Sequence, residues 1–246
     1  MLLISVVTIC FNSEKTIKRT IESVLAQNYP SIEYLIIDGG SNDSTLEIVK
    51  SYQQKFLNKG FLYKIISEPD NGIYDAMNKG ILKSTGEVIG FINSDDWYEP
   101  IAIETISKAY EESKFDLFYA DLNIIKNNEI KFIKHSKTMK FITTRHWNCP
   151  TSFFSRKTFD RIGFFKCKGI ADDFDMYLRI RRANMKIIVK NVVLANFSLG
   201  GVSNKKNFKE AMSRCKDRYR CYLDNGYSSF YIIECFFMDF IKYLIV

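Results

Sequence analysis

The first half of the chain alternates between short unbroken apolar runs and stretches whose apolar residues recur three and four positions apart. The runs Ile4-Ser5-Val6-Val7-Thr8-Ile9, Tyr34-Leu35-Ile36-Ile37, Tyr63-Lys64-Ile65-Ile66, Val88-Ile89-Gly90-Phe91-Ile92 and Asp116-Leu117-Phe118-Tyr119-Ala120 read as buried strands. Between them, Ile17, Ile21, Val24 and Leu25 form the stripe of a helix that Ser13 caps and Asn28-Tyr29-Pro30 stops. Ser44 caps a second helix carrying Leu46, Ile48 and Val49, a third runs from Ile73 towards Ser84, and Pro100 opens another towards Glu112. Strands alternating with helices of this length predict parallel βαβ units.

The second half is less regular. From Asn123 to His146 the pattern loosens into basic, strand-like pieces. Asp173 to Ala183 reads as a helix with Met176, Tyr177 and Ile180 on one face, and the Gly200-Gly201 pair reads as a loop hinge. A basic helix from Phe208 to Leu223 then leads into the mostly apolar tail Ser228–Val246, broken by Glu234, Asp239 and Lys242. Those charges fall within one arc of a helix and leave a very wide apolar face. They also argue against a membrane span, so the tail is either a docked core helix or an interfacial one. The 246 residues bound one large α/β domain, or one with a small appendage.

Composition changes this picture in two places. The chain holds 35 Lys+Arg and 28 Asp+Glu, but residues 1–125 carry 11 and 18 of them, a balance of −7, and the rest carry +14. An acidic half suits a metal, and a basic half suits an anionic partner such as a phosphate-bearing acceptor or a membrane surface. No nucleic-acid-binding motif is present. The 6 cysteines lie far apart without a Cys-x-x-Cys pair, which predicts reduced thiols in a cytosolic protein. The opening Met1-Leu2-Leu3-Ile4-Ser5-Val6-Val7 is too short and wrongly flanked for a signal peptide and reads as the first strand.

Candidate chemistry starts at Ser94-Asp95-Asp96, which follows directly on a strand. Adjacent carboxylates at a sheet edge are what hard cations such as Mg²⁺ or Mn²⁺ bind, with positions left open for phosphate oxygens. Open α/β sheets hold ligands just outside such strand ends; the same trio also serves as an ordinary turn. A second cluster, Ala171-Asp172-Asp173-Phe174-Asp175, opens a helix, where acids are also favoured by capping and the helix dipole.

Taken in order, several stretches resemble the family 2 glycosyltransferases of the GT-A fold. They are Ser5-Val6-Val7-Thr8-Ile9-Cys10-Phe11-Asn12, then Ile36-Ile37-Asp38-Gly39-Gly40-Ser41-Asn42-Asp43-Ser44-Thr45, Asp70-Asn71-Gly72-Ile73-Tyr74-Asp75-Ala76-Met77-Asn78-Lys79-Gly80, and the Ser94-Asp95-Asp96 acidic motif. The resemblance implies an α/β, Rossmann-like, mostly parallel central sheet flanked by helices. Residues 1–204 would form the catalytic domain, split into a nucleotide-sugar half (1–122) and an acceptor half (123–204). Residues 205–246 would form a C-terminal helical appendage.

The resemblance also implies roles. Cys10, Phe11 and Asn12 would face the crevice that holds base and ribose, and Asp38 would accept hydrogen bonds there. Asp75, Asn78 and Lys79 would line the donor side, Asp95 would lie near the ribose or donor sugar, and Asp96 would bind Mn²⁺ or Mg²⁺. Asp173 matches the general base and Asp172 would orient it or hold acceptor hydroxyls. Two positions depart from the commoner pattern: Gly39 stands where many relatives have a second acid, and Met77 where many have Arg, for which Lys79 is the substitute cation. Asn148-Cys149-Pro150-Thr151-Ser152-Phe153-Phe154 looks like the acceptor-side strand, with Cys149 where His is frequent; Cys149, His135 and His146 read as packing or surface residues.

The function this implies is an inverting, metal-dependent glycosyltransferase of surface-polysaccharide assembly. It would move a hexosyl or N-acetylhexosaminyl group from a nucleotide-diphosphate donor, a UDP-sugar being favoured, to a lipid-linked glycan hydroxyl. It would be cytoplasmic, with the inner face of the membrane as a peripheral site. The alternatives are a non-catalytic nucleotide-sugar or glycan-binding subunit and a nucleotidyltransferase, although the latter lacks a Gly/Lys-rich triphosphate loop after the first strand.

Overall fold

The computed structural model describes residues 1–199 and 208–245, with side chains to Met238. Nine strands form one sheet: β1 (Ile4–Cys10), β2 (Ile32–Asp38), β3 (Leu62–Ser67), β4 (Val88–Asn93), β5 (Trp97–Tyr98), β6 (Leu117–Lys126), β7 (Glu129–Lys134), β8 (Phe153–Ser155) and β9 (Ile187–Ser198). The order is β3-β2-β1-β4-β8-β6-β9-β5, with β7 paired to β6. β3, β2, β1 and β4 are parallel neighbours, β8 runs antiparallel between β4 and β6, and β6 pairs β9 in parallel.

Every residue of β1 and β2 is buried, as strands covered by helices on both faces must be. Alternation then sorts the side chains. Ile4, Val6, Tyr34 and Ile36 pack with α1 (Ile17–Leu25), α2 (Thr45–Ser51), α3 (Gln53–Lys59) and α5 (Ala102–Ser113). Val7, Ile9, Leu35 and Ile37 join the opposite core with α4 (Ile73–Lys83), α6 (Arg156–Ile162), α7 (Asp172–Arg182), α8 (Phe208–Asp224) and α9 (Tyr231–Ile245). Cys215, Cys221, Tyr222 and Cys235 belong to that second core, so α8 and α9 are packed against the sheet's own helices.

Several local expectations change. Ser13 does not cap α1 with its side chain: a turn intervenes, the helix starts at Ile17, and the Ser13 hydroxyl pairs with Ser94 at 2.8 Å. At α2 it is Asp43, not Ser44, whose carboxylate accepts from the Thr45 amide at 2.9 Å. The loosely patterned segment is a hairpin. Asn127 and Asn128 both take positive φ, 53° and 64°, which turns β6 directly into β7. Strand β9 was not expected from the sequence; β6 and β5 cover its two edges.

On α9 the apolar and polar faces are not arranged as expected. Glu234 turns inward, accepting from Thr143 at 2.6 Å and Tyr222 at 3.3 Å, beside buried Cys235. Phe230, Ile233, Phe236 and Phe237 are exposed instead. No described helix is long and apolar enough to cross a membrane.

Candidate active site

The chain runs from β1 to β2 on one side and reaches β4 on the other, so a crevice opens at the carboxyl ends of β1 and β4. Register levels Cys10 with Asp38, Ile9 with Asn93 and Asp38 with Ser67 along its floor. The β4 strand ends there in a turn closed by the Asp96 amide on the Asn93 carbonyl, 3.1 Å. Asp96 is fully buried: Oδ1 accepts from the Ser198 amide at 2.9 Å and Oδ2 from the Asn93 side chain at 3.4 Å. Asp95 beside it is half-buried. Burial of two adjacent carboxylates raises the affinity of both for protons, opposed by the Arg19 guanidinium. That guanidinium lies 3.5 Å over the Trp97 ring and donates to the Asp95 carbonyl and the Ser198 hydroxyl, each at 3.1 Å.

The second acidic cluster resolves into two different environments. Asp173 is half-buried and unpaired by any described cation; Oδ1 accepts from the Phe174 amide at 2.8 Å and the Tyr74 hydroxyl at 3.0 Å. Burial raises its pKa, against those hydrogen bonds. The Cys149 thiol is half-buried, and the charges of both Asp173 and Asp96 bear on it. Burial first, and then both acids, hold it well above the usual thiol range, so it stays protonated.

Asp172 points elsewhere. It is fully buried, pairs with Arg220 of α8 at 2.8 Å, and accepts from the amides of Lys168 and Gly169. Its carboxylate therefore braces the loop before α7, whereas Asp173 is held by Tyr74 and the Phe174 amide. Arg220→Ala would leave that charge buried without its cation. We expect a loss of about 3 kcal/mol of stability in urea melts, with Arg220→Lys in between.

After β1, Phe11 and Asn12 are exposed, and Asn12 holds positive φ. Cys10 is not exposed to the crevice; its thiol points at Asp38, 3.7 Å away, and burial there raises its pKa. Asp38 is also saturated. It accepts from the Ser41 hydroxyl (2.5 Å) and amide (3.1 Å), from the Ser67 hydroxyl (2.7 Å) and from Cys10, which fills the acceptor sites of a carboxylate. It orders the two strand-end loops from within. A Cβ at residue 39 would lie 2.4 Å from Asp70 Oδ2.

Asn78 is likewise engaged at both side-chain ends by the backbone of Phe165, at 2.9 and 3.0 Å. Lys79 binds the Pro69 carbonyl at 2.7 Å with Glu68 and Asp75 nearby, and Asp75 accepts from the Asn71 amide at 2.9 Å. These side chains shape the loop at 68–72. Met77 is buried in the core and cannot face a diphosphate.

Comparison with known proteins accounts for this arrangement. The model of glycosyl transferase family 2 matches residues 5–183. The chain belongs to glycosyl transferase family 2. An uncharacterized glycosyltransferase of Mycobacterium tuberculosis is 30% identical over 211 residues, covering 82% of this chain and 78% of the relative. The fold is that of GT-A structures. Staphylococcus aureus TarS 1–349, solved in complex with UDP-GlcNAc, aligns over 99% of this chain and 73% of its own, at TM-score 0.69 and 16% identity. A Pyrobaculum calidifontis mannosyltransferase in complex with GDP-Man and Mn²⁺ aligns over 91% and 64%, at TM-score 0.68 and 14% identity.

Within this family 2 chain, the residues at the β4 turn fit a hard divalent cation. Among the described residues no three His, Cys, Asp or Glu side chains converge into a metal cage. Mg²⁺-type sites are commonly built from one or two carboxylates completed by substrate phosphates. Asp96 and Asp95 supply such carboxylates, and the Asn93 side-chain oxygen is a buried acceptor without a hydrogen-bond partner beside them. Asn93, Arg19, Ser198 and Tyr74 were not expected from the sequence. Arg19 sits in a helix stripe as one more surface cation, and Ser198 meets Asp96 across 102 residues of chain. The Gly200-Gly201 hinge and Lys205 and Lys206 lie outside the described residues.

Proposed function

We propose that the protein is an inverting glycosyltransferase that moves a sugar from a nucleoside-diphosphate donor, UDP-linked in the first instance, to a hydroxyl of a lipid-linked glycan acceptor. The observation that carries this reading is Asp173, half-buried, paired with no described cation and held by the Tyr74 hydroxyl of α4 at 3.0 Å; that the charges of both Asp173 and Asp96 bear on the Cys149 thiol supports their sharing one cleft. Asp173 takes the acceptor proton as the new glycosidic bond forms on the face opposite the departing diphosphate. A single base and in-line attack invert the anomeric carbon. The raised proton affinity of Asp173 suits a base that must hold a proton near neutral pH.

Asp96, with Asp95 and the Asn93 oxygen, would hold Mn²⁺ or Mg²⁺, which supplies charge neutralisation at the diphosphate. The bound nucleotide sugars and Mn²⁺ of the two structural neighbours support this assignment. Peripheral attachment to an anionic membrane is supported by the exposed Phe230, Ile233, Phe236 and Phe237, with Phe141 stacked on Tyr231 at 5.0 Å beside exposed Lys140 and Arg145. Sedimentation with anionic but not neutral vesicles is the expected result, and equal recovery in both would remove that part of the proposal.

The test of the activity is a screen of nucleotide sugars for slow donor hydrolysis with and without Mn²⁺, followed by NMR of the released sugar's anomer. Metal-stimulated hydrolysis with inverted configuration is expected. Metal-independent binding of nucleoside diphosphate without any hydrolysis would favour a binding subunit.

A further inference from the structure

Tyr74 stands at the start of α4 with its ring buried against Phe165, centroids 5.6 Å apart, and its hydroxyl reaches across to the acceptor side. Two acceptors meet that hydroxyl at the same distance: the Ile170 carbonyl and Asp173 Oδ1, each 3.0 Å away. A phenol has one hydrogen, and a carbonyl can only accept. An ionised Asp173 can only accept as well, so the single hydrogen has two competing destinations. A protonated Asp173 removes the conflict. Its own O–H then donates to the Tyr74 oxygen, and the Tyr74 hydrogen is free for Ile170.

We propose that Tyr74 is a positioning residue for the base, whose hydroxyl hydrogen turns towards Asp173 while it is ionised and towards the Ile170 carbonyl once Asp173 is protonated. This rests on the reading of Asp173 as the base. During transfer the acceptor O–H bond breaks and an Asp173 O–H bond forms. The anomeric carbon exchanges its bond to the diphosphate for one to the acceptor oxygen, and the electron pair leaves with the diphosphate. The Tyr74 O–H bond is never broken; it rotates. The hydroxyl therefore orients the carboxylate before attack and receives its proton's hydrogen bond afterwards, without a water molecule entering.

The placement also joins the two sides of the cleft. Gly72, at φ 107°, starts α4 directly after the loop that Asp70, Asp75 and Lys79 hold together. A movement of that loop would be transmitted to Asp173 through Tyr74. The other groups facing Asp173 are the Cys149 thiol from the turn before β8 and the neighbouring Asp172, already neutralised by Arg220.

The experiment needs no substrate. Aspartate ¹³Cγ signals of the full chain are followed through a pH titration, with Asp173→Asn identifying the Asp173 resonance. A hydrogen bond to an ionised acceptor is roughly twice as strong as a neutral one, so losing the phenol disfavours the carboxylate more than the acid. Tyr74→Phe should therefore move the Asp173 midpoint upward by about half to one pH unit. Incorporation of 3-fluorotyrosine at residue 74 keeps the hydroxyl and the shape but makes it a better donor; it should move the midpoint down, and it serves if the Phe variant does not fold. An unmoved midpoint in the folded variant, or shifts of the opposite sign, would overturn the proposal. That outcome would leave the transferase reading intact, because donor hydrolysis and its metal dependence are measured separately.

Discussion

Replacing Asp173 by Asn is expected to lower kcat for sugar transfer about a thousandfold while leaving donor affinity unchanged, since removing a general base has typically that effect. Asn keeps the oxygen that accepts from Tyr74 and the Phe174 amide, so the loss reports on chemistry and not on folding. A sugar hydroxyl is a weak nucleophile whose proton must leave as the bond forms. An amide cannot take that proton. The check is steady-state kinetics with donor titrations by calorimetry; a parallel loss of donor binding would mean that the residue does something else.

Asp96→Asn should also reduce transfer about a thousandfold, the equivalent of several kcal/mol of charge stabilisation at the diphosphate. The same change should make the metal-free protein more stable. Asp96 is buried beside Asp95, and both bind protons more tightly in the folded chain than carboxylates do in water. Between the ordinary carboxylate pKa, about 4, and the raised folded values, the native state holds more protons than the unfolded one. Stability therefore falls as pH rises through that window. An uncharged isostere removes that loss, so Tm at pH 7 should rise, by about 2–4 °C for each kcal/mol gained. The gain should shrink as pH falls towards 4. An inactive variant that is also more stable would mark Asp96 as a functional strain on the fold.

The legible parts of this molecule are those that local sequence determines. Strands β1 and β2 are buried on both faces and read as unbroken apolar runs. The β4 turn was visible because it stands in order with the other motif stretches at strand ends; alone, the same acids also make an ordinary turn. The hairpin between β6 and β7 was missed because its signal was two asparagines accepting positive φ, a turn code with no hydrophobic component.

Residue roles were hardest where partners are distant. Asp172 and Asp173 are indistinguishable as letters, but neighbours on a helix point about 100° apart. Which one faces the cleft is decided by Arg220, 48 positions away. Asp38 has the position of a ligand-binding acid, and Ser67 and Ser41 make it an internal brace. Asn78 and Lys79 lie on α4, and their polar ends are bound to Phe165 and Pro69. The spacing of residues revealed which elements reach the crevice but not which side chains are already committed within it.

The most direct test of a shared cleft is paramagnetic. With Mn²⁺ and UDP added to the full chain, and GDP as the alternative nucleotide, the carboxyl ¹³C signal of Asp173 should broaden strongly, and Asp96→Asn should abolish the effect. An Asp173 signal that stays sharp while Mn²⁺ and nucleotide are demonstrably bound at Asp96 would place the two acids in separate sites and contradict the mechanism.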